Sequence, residues 1–138
     1  MSRDFIDTNI VLYANDMRDT AKQQLAVAVI ARAIRDDTGV ISIQVLQEYA
    51  HVALARLGQR QELVLRQLAL LEILHVVTPT PAMVRRSVEL RSLYGISFWD
   101  AGIVAAAEHA GCARILSEDL NTGQFYGGVA VANPFASE

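Results

Sequence analysis

An α/β domain, with a parallel sheet covered by helices on both faces, is the fold class this sequence predicts. Three observations carry the prediction. Short apolar runs alternate with longer segments of helical periodicity, the pattern of a buried parallel sheet and its crossover helices. The chain has 138 residues, the size of one ordinary domain, so a single domain is expected to cover residues 1–138. It is 52% hydrophobic, enough for a sheet buried between helix layers.

The elements follow in order. "DFID" reads as a short buried strand that ends at a polar turn, "TN". Residues 20–36, "TAKQQLAVAVIARAIRD", are rich in Ala and repeat their apolar positions at helical spacing. "DDTG" stops that helix, and "VISI" is a second apolar strand. "QVLQEYAHVALARLG" is a helix closed by Gly58, the residue that most readily takes a left-handed helix end. "QRQELVLRQLALLEIL" is the next helix and leads into the strand "HVVT". After Pro79, Pro81 opens the helix "PAMVRRSVELRSLYG", which closes at Gly95. "SFWDAGIVAAAEHAG" is a further helix, "ARILS" a strand, and "GGVAVANPF" the last strand.

The bulk properties exclude several classes. The net charge is −3 and the pI about 5.6, which argues against a protein that coats nucleic acid without specificity. One cysteine, Cys112, allows no intrachain disulfide. The start "MSRDFIDTN" has no long apolar run, so no signal peptide is expected. "AVAVIARAI" is too short, and too interrupted by Arg32, to span a bilayer. A cytoplasmic protein without membrane contact is the expectation.

In parallel sheets ligands gather outside the carboxyl ends of the strands. Four acids fall at that edge: Asp7 after the first strand, Glu48 early in the helix after "VISI", Asp100 at a helix start, and Asp119 just past "ARILS". Each also has a local explanation. Asp7 suits a turn, Glu48 a solvated helix face, and Asp119 an Asx turn. Ser97 and Asp100 have the spacing of a capping box. All four local explanations at once are less economical than one shared site. Clustered carboxylates repel unless a cation compensates. Oxygen donors alone suit a hard ion, Mg²⁺ or Mn²⁺ in its place, and such ions serve phosphate chemistry.

Other chemistries lack their residues. Glu48 and His51 have Glu-x-x-His spacing, but a di-iron bundle needs two such pairs on long helices. His75 and His109 are isolated and read as packing or surface residues, and no Cys/His spacing suggests zinc. Neither a hydrolase elbow nor a phosphate-binding Gly-Lys-Ser/Thr loop is present. Aspartyl-phosphate proteins use a lysine near the phosphate, and the single lysine here, Lys22, lies early in the first long helix. The remaining positive charge is arginine, mostly on helix faces.

"FIDTNIVLYA", the helical Glu48, "GISFWDAGIVAAA" and "ILSEDLNTGQFYGGVAVANPF" together resemble PIN-domain proteins, most closely the VapC-like toxins of bacterial toxin–antitoxin pairs. The resemblance spans essentially the whole chain in the right order. It implies a five-stranded parallel sheet between helices and a Mg²⁺- or Mn²⁺-dependent endoribonuclease acting on RNA. Carried over by residue, it implies catalytic acids at Asp7, Glu48, Asp100 and Asp119, with metal held by Asp7, Asp100 and Asp119. Ser117 matches the family's Ser or Thr, and Asn9 the polar residue that orients the first acid. Asn121 and Thr122 are nearest to the position of a further acid or amide. The resemblance also implies a homodimer and a small cognate antitoxin. The alternative from another class is a regulatory α/β module that binds phosphate or RNA without cleaving it.

Overall fold

The computed structural model describes residues 2–136. Six strands form one sheet in the order β3-β2-β1-β4-β6-β5. They are β1 (Asp4–Ile6), β2 (Gly39–Ser42), β3 (His75–Val77), β4 (Arg114–Leu116), β5 (Phe125–Tyr126) and β6 (Val129–Ala132). Every pairing is parallel except β5 against β6. The helices are α1 (Thr8–Ala14), α2 (Thr20–Arg35), α3 (Ile43–Ala55), α4 (Gln61–Leu71), α5 (Pro81–Tyr94) and α6 (Phe98–His109). They flank the sheet, so the α/β class stands.

The core follows from the apolar strands. Phe5, Ile6, Val40, Ile41 and Ile115 are fully buried at the sheet's centre, under Ile10, Val45, Tyr49, Leu90 and Val104 from the helices. The run "AAA" in α6 is buried from Ala105 to Ala107, because small side chains let that helix lie close against its neighbours. Local caps act as the sequence indicates. Thr80 caps α5 through a bond from the Met83 N–H, Pro81 opens it, and Gly95 closes it at φ 64°, where a side chain would be strained.

Two differences from the sequence reading have physical causes. The sheet has six strands rather than five, because "QFYGGVAVA" folds back on itself. Phe125 pairs with Ala130 and Tyr126 with Val129, which leaves Gly127 and Gly128 as a two-residue turn. Gly127 has φ 60°, and Gly-Gly is suited to the left-handed turns that match strand twist. The "TN" after β1 is the first turn of a helix rather than a loop. A run as short as "IVLYA" does not distinguish strand from helix by period. Burial of Ile10 and Val11 settles it, with Asp7 as the cap whose carboxylate accepts from the Thr8 N–H.

Gly39 opens β2 where no side chain fits. A Cβ there would lie 2.5 Å from Leu74 Cδ2 and 2.7 Å from Ala33 Cβ. Overpacking of this kind costs about 1–3 kcal/mol. Gly39→Ala is therefore expected to lower the melting temperature by roughly 3–10 °C for a domain of this size. A thermal melt checks it, and an unchanged midpoint would mean that α2 and Leu74 yield without cost.

Candidate active site

The strand order sets the location. After β1 the chain moves to β2 and β3 on one side; β4 and β6 lie on the other. The order therefore reverses between β1 and β4, and a crevice opens at the carboxyl ends of those two strands. Ile6 and Leu116 are partners across this boundary, and the Asp7 N–H donates to the Leu116 carbonyl at 3.1 Å. Asp7 and Ser117 thus emerge side by side, although 110 residues separate them.

Asp7 is 5% exposed. One carboxylate oxygen, Oδ1, accepts from the Thr8 N–H at 2.7 Å. The other, Oδ2, accepts from Ser117 Oγ at 2.7 Å and from Asn9 Nδ2 at 3.3 Å. Asn9 Nδ2 also lies 3.1 Å from Asp119 Oδ2, so one amide bridges two acids. Its Oδ1 accepts from the Glu118 N–H at 3.2 Å. Ser117 Oγ in turn accepts from the Asp119 N–H at 3.1 Å. Asp7, Asn9, Ser117 and Asp119 form one bonded group.

Asp100 completes the electrostatics from the first turn of α6. Ser97 caps that helix, with the Asp100 N–H donating to Ser97 Oγ at 3.0 Å. Among the described residues the Asp100 carboxylate makes no return bond to the Ser97 N–H, so only half of the capping box is built. Burial pushes the Asp100 pKa above the usual carboxylate range, the Ser97 side chain opposes this, and the charge of Asp119 adds to the rise. Asp7 is pushed up to about 6, chiefly by burial. The Ser117 and Thr8 hydrogen bonds pull it down, and the charges of Asp119 and Asp100 push it further up. The three aspartates therefore act on one another.

Glu48 is held beside them. Its Oε1 accepts from Thr8 Oγ1 at 2.8 Å and from Gln44 Nε2 at 3.4 Å. Gln44 also donates to the Trp99 carbonyl at 2.9 Å, tying α3 to the start of α6. Gly102 makes this passage possible, since a Cβ there would meet Gln44 Oε1 at 2.6 Å. Sequence reasoning missed both Thr8 and Gln44. Gln44 was within reach, because it stands four residues before Glu48 on one helix face.

Asn121 lies apart from this group. It is exposed, and its Nδ2 donates to Gln124 Oε1 at 3.0 Å within its own turn. Thr122 is exposed beside it. His51 and His109 are exposed, and His75 lies next to Asp37. Lys22 is not remote from the acids: it pairs with Glu118, one residue before Asp119.

Among the described residues no three Asp, Glu, His or Cys side chains stand in ready metal-holding geometry. The Asn9 amide and the Ser117 hydroxyl lie between Asp7 and Asp119. The donor chemistry nonetheless fits a hard divalent ion. The acids offer only oxygen, and burial, with the negative charge of neighbouring acids added to it, raises the pKa of Asp7 and of Asp100 in the way a nearby cation would relieve.

The model of the PIN domain matches residues 5–126. The chain belongs to the PIN-domain family. This PIN domain also shares its fold with solved toxin structures. Against the sarcin–ricin-loop-cleaving toxin VapC20 of Mycobacterium tuberculosis the TM-score is 0.67 at 19% identity, over 84% of this chain and 89% of that one. A toxin–antitoxin complex from Klebsiella pneumoniae gives 0.70 at 22% identity, over 96% and 98%. VapBC2 of Rickettsia felis, bound to a fragment of promoter DNA, gives 0.66 at 18% identity, over 94% and 97%. At these identities the likeness is one of fold. No curated protein matches the chain.

Proposed function

We propose that this PIN domain is a Mg²⁺- or Mn²⁺-dependent endoribonuclease and the toxin of a toxin–antitoxin pair. The observation that carries the proposal is the buried Asp7, bonded to Asn9 and Ser117 and coupled by charge to Asp119 and Asp100 at the switch point of the sheet. Keeping a carboxylate in so dry a place is costly, and such perturbed groups cluster at functional sites.

Asp7, Asp100 and Asp119 would hold the ion, and Glu48 would complete the site directly or through water. When bound, the ion would supply charge neutralisation for the acids and Lewis-acid polarisation of a phosphodiester. The chain's own groups supply order. Asn9 sets the separation of Asp7 and Asp119 through one amide nitrogen. Ser117 fixes the Asp7 carboxylate by donating to Oδ2. Thr8 and Gln44 hold Oε1 of Glu48. Side chains placed in advance need little reorganisation when the reaction begins.

The toxin part of the proposal draws support from the toxin and toxin–antitoxin structures that share the fold. It includes a small cognate antitoxin, a homodimer and a cytoplasmic location. No helix among the described residues is long and apolar enough to cross a membrane.

Incubation of the purified protein with mixed RNA tests the chemistry. Cleavage is expected with Mn²⁺ and should stop when EDTA is added. Cleavage that persists in EDTA overturns the metal-dependent reading. Expression of the chain alone should slow bacterial growth, and co-expression of the adjacent small open reading frame should restore it. Normal growth with active protein removes the toxin claim and leaves the nuclease.

A further inference from the structure

The segment that carries Asp119 is gripped from outside as well as from inside. Ser117 and Asp119 face the acids, whereas Glu118 between them faces the opposite way. Its Oε1 accepts from Tyr13 Oη at 2.7 Å, and its Oε2 pairs with Lys22 Nζ. Lys22 Nζ also lies 3.2 Å from Tyr13 Oη, within 4.5 Å of the Tyr13 ring centre and 5.4 Å of the Phe135 ring centre. The two rings meet edge to face at 5.1 Å. Lys22 is itself set in place, because its N–H donates to the carboxylate of Asp19, the cap of α2. Helices α1 and α2, the turn after β4 and the stretch after β6 therefore meet at the Glu118 carboxylate.

We propose that Lys22 is a positioning residue that, through Glu118 and Tyr13, holds the 117–119 turn so that Asp119 stays opposite Asp7. Asp119 is exposed, and its inner restraints are the Asn9 amide on its carboxylate and Ser117 Oγ on its N–H. Without the outer grip the turn keeps only these bonds, and Asp119 moves relative to the other acids. The lysine and glutamate side chains are 32% and 27% exposed, so the pair is partly screened and adds little to global stability. Its effect is local. A displacement of about 1 Å at a reacting centre costs on the order of 100-fold in rate. The effect on cleavage rests on the nuclease proposal; the effect on the turn does not.

Lys22→Met and Glu118→Gln test this, beside the charge-exchanged double variant Lys22→Glu with Glu118→Lys. Amide hydrogen exchange reads the turn directly. The N–H groups of Glu118, Asp119 and Leu120, bonded to Asn9 Oδ1 and Ser117 Oγ, should exchange roughly tenfold faster in both single variants, while β4 amides keep their protection. The Mn²⁺ midpoint should weaken by about 10–100-fold, the scale for groups that orient ligands. In an RNA assay kcat should fall with KM nearly unchanged, and the charge-exchanged variant should regain part of each loss. Unchanged exchange at residues 118–120 overturns the proposal. So does a lowered melting temperature with normal kcat and Mn²⁺ midpoint, since that is the mark of a stabilising pair alone. A parent protein that neither binds Mn²⁺ nor cleaves RNA would remove the nuclease proposal, and the exchange comparison would still decide the role of Lys22.

Discussion

Asp100→Asn is expected to fold normally, to melt no lower than the parent in EDTA, and to lose nearly all RNA cleavage and Mn²⁺ binding. The swap keeps size and hydrogen-bonding ability and removes one negative charge. The bond that caps α6 runs from the residue 100 N–H to Ser97 Oγ, so it survives the change. Burial and the charge of Asp119 both oppose ionisation of Asp100, so the neutral amide relieves repulsion when no cation is present. Affinity at an oxygen-ligand site depends on its charge count. The loss in cleavage should exceed the roughly 10–100-fold typical of groups that merely orient ligands. Ser97→Ala should do the opposite: it removes the cap, costs about 1 kcal/mol, and leaves most activity. If Asp100→Asn cleaves normally and the two variants destabilise alike, Asp100 is a helix cap and nothing more. Cleavage assays, Mn²⁺ titration and melts of the two variants separate these outcomes.

Asp7→Asn should stabilise the protein in EDTA at pH 8 and give no gain at pH 3.5. Burial pushes the Asp7 pKa in the folded protein up to about 6, above the ordinary aspartate value of 3.8. Its contribution to stability is therefore fully present below about pH 4 and is lost as the pH rises through about 6. At pH 8 the parent carries a buried charge, which costs about 3 kcal/mol at most. The amide avoids that cost and remains a good cap for α1. Part of the gain is offset, because the new Nδ2 faces Asn9 Nδ2 and Ser117 Oγ where Oδ2 accepted from both. A net gain of about 1–2 kcal/mol would raise the melting temperature by roughly 3–8 °C. Added Mn²⁺ should raise the parent's midpoint and leave that of Asp7→Asn nearly unchanged. A variant that melts below the parent at pH 8 would show that the bonds from Ser117 and Asn9 outweigh the burial of the charge.

Both predictions concern groups whose two roles have separate origins. As a cap, Ser97 follows from a rule that acts within four residues and could be read directly from "SFWD", whereas "IDTN" read only as a polar turn and Asp7 became a cap once α1 formed behind it. As neighbours, Asp7 and Asp119 owe their relation to a strand pairing and an amide bridge that no local rule contains. The six-strand sheet marks the boundary between the two kinds of information. "YGGV" carried a legible turn signal, but the strand before it has only two residues, too short to show a period of its own. Helix α1 was missed for the same reason: seven residues with a short apolar run become helical because Ile10 and Val11 have a core to enter. Lys22 is the clearest case. Its place early in α2 made it look remote from the acids, yet α1 and α2 fold back to bring it against Glu118.

The sequence by itself determined the α/β class, five of the six helices and the five parallel strands, and it marked four acids as candidates for one edge of the sheet. Period, capping residues and turn residues are local properties, and apolar alternation records which segments must be buried. Only the tertiary structure decided that the strand order reverses between β1 and β4, that Asn9 and Ser117 bond Asp7 to Asp119, that Thr8 and Gln44 hold Glu48, and that Lys22 backs the turn beside them. Those arrangements depend on which side chains of distant segments share a hydrogen bond or a buried charge. Such energies exist only once the sheet has brought the segments together.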